Sequence, residues 1–415
     1  MDVFDSRYMK NIRFTLRSIG AWPSHVFEDL PTTKLSAISR YGYTCLLFTF
    51  CSTGMVAQAV YLVKNKGTMP FIDLGQTYLT LLMSFAFVQR TTMPIQPSYQ
   101  ALIKEFVSKF HLLHHKDKTD FSAKMFSKVN RMCEIGTIVE LLQFGVSASM
   151  FNIAPLALNY SRGMLSSERP MNVTFEYSVY YALPVDQNTG VWYIVICMYN
   201  AYVSYNLGCM FLCHDLQISV FVFHIWGHMN IFEHNLNYFP RPRKAVGSKS
   251  DPLRYSNEES KEVTMGLKEI IKHYIMIKDF VAKTSDVYSV TLCVYYGLHL
   301  VADCVLLLEC STLEIDALAK YGLLTLVMYQ QLIQVSVVFE LISSKGESLP
   351  DAVYGLPWEC MDNGNRRTVL ILLQIVQQSL ALKACGMVSV GLQTMLAILK
   401  TSFSYFLMLK TFANN

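Results

Sequence analysis

Tyr41–Val63 reads YGYTCLLFTFCSTGMVAQAVYLV and Val191–Cys213 reads VWYIVICMYNAYVSYNLGCMFLC, and neither 23-residue stretch holds a charge. A helix needs about 20 predominantly apolar residues to cross a hydrocarbon layer ~30 Å thick. A buried core helix could account for one such run, but not for a series. Five further runs extend it: Phe71–Gln89 with Asp73 at its outer end, Ile135–Leu158 carrying Glu140, Val287–Leu308, Tyr321–Phe339 and Ala384–Leu409. The expected fold is an all-α membrane protein with seven transmembrane helices. Composition agrees, since only 16% of the chain is charged where a soluble domain carries roughly 25%.

Several function classes drop out. A formal charge of +4 without a dense basic stretch gives nucleic acid no footing, and the eleven cysteines form no CxxC pair or metal-like spacing. Scattered through apolar runs, they read as small packing residues. Met1–Arg40 is polar, carries Arg7, Lys10, Arg13 and Arg17, and lacks an apolar h-region. It does not read as a cleavable signal, so the first helix is expected to direct insertion itself. There is no internal repeat of the kind a transporter shows.

Orientation follows from basic residues, which gather on cytosolic loops. Placing the N-terminus in the cytosol and the C-terminus outside makes segments 1–40, 94–130, 214–286 and 343–379 cytosolic, and these hold 25 of the 35 Lys and Arg. Asn159-Tyr-Ser161 and Asn172-Val-Thr174, both glycosylation acceptors by pattern, then fall together in an outer loop. This sense is opposite to that of a G-protein-coupled receptor, and neither Asp-Arg-Tyr after the third span nor a closing Asn-Pro-x-x-Tyr is present.

The cytosolic segments are themselves helical in pattern. Ser256–Asp286 repeats Val263, Leu267, Ile270, Ile271, Tyr274, Ile275, Ile277 and Phe280 at helical spacing. Arg366–Leu382 does so with Val369, Leu370, Leu373, Ile375 and Val376 and leads straight toward the seventh span. Polar helices with an apolar face must pack against something: a bundle beneath the membrane or, alternatively, the bilayer surface. The expected organisation is a cytosolic segment 1–40, six transmembrane helices with cytosolic extensions over 41–343, an anchor region 344–383 and the last helix 384–415.

Catalysis finds little support, with no nucleophile triad, His-Glu-x-x-His or phosphate loop. An embedded enzyme would have to use Glu140, His299 and Asp303. His114-His115 and His224/His228 come nearest to a ligand pair, and a packing or surface role is expected for both, with no metal or other cofactor. Two sets stand out instead. Gln393, Lys400 and Ser404 share one face of the seventh span, interrupted by Ala397. Polar residues there turn to protein or water rather than lipid, so the stripe is either a pore lining or interhelical hydrogen bonding. The outer halves of the second to sixth spans are rich in aromatic and small polar groups. Tyr78, Phe85, Phe144, Ser147, Phe151, Tyr199, Tyr295, His299, Tyr321 and Leu324, with Met150 and Tyr193 beside them, could line a pocket for a small ligand. Each could equally be core or interfacial packing.

The C-terminal pattern Leu356-Pro-Trp-Glu-Cys-Met-Asp-Asn-Gly-Asn-Arg-Arg-Thr368, an amphipathic helix and Ser404-Tyr-Phe-Leu-Met-Leu-Lys-Thr-Phe412 resembles the insect odorant receptors. The wider chemoreceptor superfamily ends in Thr-Tyr, five residues, Gln-Phe. Ser404-Tyr405 and Thr411-Phe412 keep that spacing and replace the Thr and the Gln, a departure that points away from gustatory receptors. The sharp match covers about the last sixty residues, and length and topology agree over the whole chain. The resemblance implies a ligand-gated, non-selective cation channel: a tetramer around a pore lined by the last helix, held by a cytosolic anchor. It implies a tuning subunit partnered by the odorant receptor coreceptor, in the plasma membrane of olfactory neurons, needing no G protein. By the same match the hydrophobic gate falls on Met408 and Phe412. A secondary transporter and a gustatory-type channel are the competing classes.

Overall fold

The computed structural model describes residues 2–27, 34–69, 71–166, 173–243, 254–311 and 315–413. Eleven α-helices are described: α1 Arg7–Ser18, α2 Ser24–Phe27, α3 Lys34–Asn65, α4 Phe71–Thr91, α5 Pro97–Glu105, α6 Asp120–Ser161, α7 Gly190–Asn237, α8 Asn257–Cys310, α9 Ile315–Tyr354, α10 Asn363–Val376 and α11 Leu392–Ala413. The strands among the described residues are two short ones, β1 Lys383–Ala384 and β2 Val388–Ser389, paired antiparallel. Segments within α3, α6, α7, α8 and α9 are long and apolar enough to cross a membrane.

Helices α6 to α9 run 42, 48, 54 and 40 residues, about twice what a bilayer requires. Their surplus length forms one end of the bundle, as the periodicity of 256–286 predicts. Val263, Leu267, Ile270, Tyr274, Ile277 and Phe280 are buried there, while Ile275 is exposed. Phe110 stacks on Phe280 at 3.8 Å and Phe106 meets Phe221 at 4.7 Å. Each ring buried this way contributes ~1.5–3 kcal/mol. Local sequence sets where these helices begin. Ser256 and Glu259 form a reciprocal capping box at the start of α8, and the Asp362 carboxylate accepts from Asn365 N–H at the start of α10. The N-terminal segment joins this core, with Tyr8, Met9, Ile12 and Leu16 of α1 buried.

Two expectations are corrected. Leu370 is exposed, and Leu372 is buried in its place beside Val369 and Val376. The last helix is not continuous with the amphipathic one before it, and it begins at Leu392 rather than Ala384. A hairpin intervenes in which Ala384 pairs with Val388, and Cys385 and Gly386 turn at φ 49° and 69°. That left-handed turn is what glycine accommodates, and the hairpin lies between α10, which already ends at Val376, and α11.

Candidate functional site

At the other end of the bundle, helices α3, α4, α6, α7, α8 and α9 line a cavity of about 200 Å3. One face of each helix supplies its wall. On α6, Glu140, Phe144, Ser147 and Phe151 follow at intervals of four, three and four residues, the spacing that stacks side chains on one helical face. On α4 the wall is Thr80, Met83, Ser84 and Phe87, and on α9 it is Leu324, Met328, Gln331 and Val335.

The roof comes from the segment between α6 and α7, which is strapped to its surroundings. Gln76 Nε2 donates to the carbonyls of Tyr177 (3.1 Å) and Ser178 (3.0 Å). Ser178 Oγ donates to Phe151 O, and Ala182 N–H to Ala57 O at 3.0 Å. Tyr181 thereby reaches the cavity, its hydroxyl donating to Asn200 Oδ1 at 2.8 Å.

The floor is polar. Arg90 pairs with Asp215 at 2.6 Å, donates to Phe211 O, and places its guanidinium 3.6 Å from the centre of the Phe211 ring. Arg90 is only 2% exposed, and a cation buried so deeply persists because it is paired and hydrogen-bonded. Gln334 Nε2 donates to Glu140 Oε1 at 3.0 Å. On α8, His299 Nδ1 lies 3.6 Å from Asp303 Oδ2, and both side chains are buried. Glu140 is held by Gln334 instead of joining that pair, so the three residues an embedded enzyme would require are split between two partners.

Of the ten residues expected to bind ligand, Phe144, Ser147, Phe151, His299 and Leu324 line the cavity. The other five do not. Tyr78 and Phe85 are 43% and 55% exposed. They share the face of α4 opposite Thr80 and Phe87, the face a membrane helix turns to lipid. Tyr199 stands outside the cavity, its hydroxyl on Phe50 O and its ring against Tyr181. Tyr295 is buried behind the wall, between Phe211 and His299. Tyr321 belongs to a separate cluster with Leu79, Leu306 and Met328. Of the neighbours considered with them, Met150 is half exposed and Tyr193 packs in the roof. Sequence reasoning missed Gln58, Ser84, Asn200 and Ser204. Their signal was available: polar groups at mid-helix in apolar spans face protein or water.

On α11, Gln393, Lys400, Ser404 and Met408 are exposed in the single chain, as is Ala397 between them, while Met395, Ile398 and Ser402 face the bundle. Ser402 Oγ donates to Leu300 O at 3.1 Å and ties α11 to α8. The Phe412 side chain lies outside the described residues. The start of α11 is joined to α9, because the Glu340 carboxylate accepts the Leu392 N–H at 3.0 Å.

The two asparagine acceptors differ. Asn159 is fully buried, its amide nitrogen donating to Glu176 O and Tyr193 Oη while its oxygen accepts Glu176 N–H. Its amide ties α6 to the outer loop and to α7. Asn172 lies outside the described residues.

Of the histidines singled out by proximity in sequence, His114 and His115 bond the carbonyls of Val107 and Lys109, while His224 and His228 each meet a histidine from another element. His111 Nδ1 accepts Leu113 N–H and His224 Nδ1 accepts Leu112 N–H, so both rings turn Nε2–H to the Tyr8 oxygen, at 2.5 and 3.2 Å. His228 donates from Nε2 to Phe110 O and accepts from His273 Nε2 at 3.0 Å. Among the described residues no His, Cys, Asp and Glu group is arranged to hold a metal.

The sequence profile of the 7tm Odorant receptor family matches residues 71–403. Odorant receptor 33b of Drosophila melanogaster is 29% identical over 90 residues, which is 22% of this chain and 24% of that receptor. The match thus spans about a quarter of that relative's length. The insect olfactory receptor OR5 from Machilis hrabei superposes with a TM-score of 0.75 at 15% identity over 97% of both chains. A second structure of it, in complex with eugenol, gives 0.76 with the same identity and coverage. At that identity the likeness is one of fold, a helical membrane protein.

Proposed function

The chain belongs to the 7tm Odorant receptor family, and from that premise we propose that it binds a small, largely apolar volatile and gates a non-selective cation channel. It acts as the tuning subunit of a heterotetramer with the odorant receptor coreceptor, in the plasma membrane of olfactory neuron dendrites, with its N-terminus cytosolic. The observation that carries the reading is the aromatic-lined cavity whose α9 wall continues to the cap on α11. Ligand contact with Leu324, Met328 and Gln331 acts on the same rigid helix that carries Glu340, and Glu340 holds Leu392 at the start of the last helix. The exposed face with Gln393, Lys400, Ser404 and Met408 is then where subunits and water meet, with Met408 and Phe412 as the gate.

Binding rests on removal of apolar surface from water, at roughly 25 cal/mol per Å2. Apolar cavities of ~150 Å3 take benzene, so about 200 Å3 suits one ring with a short substituent or a chain of similar bulk. A ligand opens the channel only through its preference for the open arrangement. Moving the equilibrium from 1:99 to 99:1 takes ~5.5 kcal/mol of differential binding, so several occupied subunits or partial opening are expected. The test is whole-cell recording from cells expressing the chain with the coreceptor, using eugenol and smaller ring compounds. Odorant-evoked cation current that Phe144→Trp abolishes or shifts to smaller ligands supports the reading. Coupled uptake of the compound without such current refutes it.

A further inference from the structure

The cavity is apolar in area, but its polar atoms are unevenly satisfied. Gln58 and Ser84 bond each other, Tyr181 bonds Asn200, Glu140 bonds Gln334, and Asp215 is paired with Arg90. Three lining side chains are left with buried polar atoms that have no protein partner within hydrogen-bonding distance: Gln143 Nε2, Ser147 Oγ and both ring nitrogens of His299. His299 is fully buried. An unpaired buried polar group costs the full desolvation of that group, so this arrangement favours whatever ligand completes it.

The types of the unpaired atoms define the complement. Gln143 Oε1 already accepts from Gln330 at 3.1 Å, which leaves Gln143 Nε2 as a donor only. Ser147, one turn further along the same face of α6, adds a hydroxyl. On the α8 wall, Asp303 sits 3.6 Å from His299 Nδ1. An imidazole tautomer with Nδ1–H turned toward that carboxylate presents Nε2 as an acceptor. The cavity therefore offers donors from α6 and an acceptor from α8. A carbonyl or an ether satisfies only the donors, and a hydrocarbon satisfies neither. A hydroxyl carries both a donor and an acceptor.

We propose that the preferred ligand of this cavity is an alcohol or phenol, whose O–H donates to His299 Nε2 and whose oxygen accepts from the Gln143–Ser147 face of α6. The inference rests on the cavity being the ligand site. Sites built to hydrogen-bond a hydroxyl discriminate strongly against the analogue without it, because their own groups are then left unpaired.

The test uses matched triads of alcohol, ketone and hydrocarbon on one skeleton, beginning with 1-phenylethanol, acetophenone and ethylbenzene and repeated on cyclohexyl and hexyl skeletons. Each is applied to the complete receptor with its coreceptor, and heat protection of the purified receptor is measured alongside. The alcohol should have a half-maximal concentration at least tenfold lower than both partners in a triad that activates. In His299→Leu and in Ser147→Ala that advantage should fall below threefold. It is read as a ratio within each variant, so expression level cancels. Hydrocarbons or ketones matching the alcohols in the wild type overturn the hydroxyl assignment and leave the ligand cavity standing. So does an alcohol advantage that survives both substitutions. If no member of any triad evokes current or protects the receptor from heat, the assignment of the cavity as the ligand site falls with it.

Discussion

Gly208 on α7 faces Phe144 across the cavity wall, and both line it. A Cβ placed on Gly208 would sit 2.3 Å from Phe144 Cε2 and 3.1 Å from its Cζ. Carbon atoms are comfortable at ~3.5–4.0 Å, so in Gly208→Ala the ring edge must retreat by more than an ångström. The new methyl and the displaced ring together claim space from about 200 Å3. For a ligand that fills the cavity, overpacking of this kind costs ~1–3 kcal/mol. At 1.4 kcal/mol per decade that is roughly a fivefold to hundredfold rise in half-maximal concentration. A ligand one or two carbons shorter escapes the penalty. Alanine is favoured over glycine inside a helix by about 1 kcal/mol, which offsets part of the cost of moving the ring. The assay is a dose–response series with linear primary alcohols from pentanol to octanol, on wild type and Gly208→Ala, with surface expression measured in parallel. The optimum chain length should shorten by one or two carbons in the variant. An unchanged optimum at equal surface expression would refute the placement of Phe144 and Gly208 on the ligand wall.

Glu340→Ala removes the acceptor for Leu392 N–H and a negative charge at the start of α11, together worth about 1 kcal/mol. It should lower the maximal evoked current more than Glu340→Gln does; equal maxima in wild type and Glu340→Ala would uncouple α9 from the last helix. Arg90→Leu strands Asp215 on the cavity floor and should cost ~3–5 kcal/mol. Thermal unfolding should show a large drop in Tm that Arg90→Leu with Asp215→Leu largely restores, and no rescue would mean that the pair is not the reason. Burial, with His114 nearby, pushes His111 down to about 3, below the ~6.5 of the unfolded chain, and a proton on Nδ1 would confront Leu113 N–H. The unfolded chain therefore takes the proton first. The contribution of His111 is intact above pH ~6.5 and is lost at about 1.4 kcal/mol per pH unit as pH falls from there toward 3. His273, pushed down to about 3 by burial with His115 and Lys118 beside it, acts in the same direction. Tm measured at pH 7.5 and 5.5 should fall on acidification, less so in His111→Gln, and a flat profile would contradict the neutral network.

The sequence by itself determined the helical membrane class, because charge-free runs such as Tyr41–Val63 and Val191–Cys213 leave few alternatives. It also determined the helical extensions beyond the spans, since water on one side of 256–286 imposes a period that exposes which face is buried. Within the membrane that information disappears. Lipid is as apolar as a protein core, so Tyr78 and Phe85 facing outward, Phe144 and Phe151 facing the cavity, and Tyr321 packed elsewhere carry the same hydropathy. Only the tertiary structure decided among them, by fixing the rotation of each helix against its neighbours. It also decided where chain distant in sequence meets the site: Tyr181 is brought to the cavity by hydrogen bonds donated by Gln76 and accepted by Ala57 O, which no periodicity encodes. The hairpin at Lys383–Ser389 and the pairing of His111 with His224 arose in the same way. They depend on backbone turns and on donors supplied by other elements, and a linear pattern of apolar residues records neither.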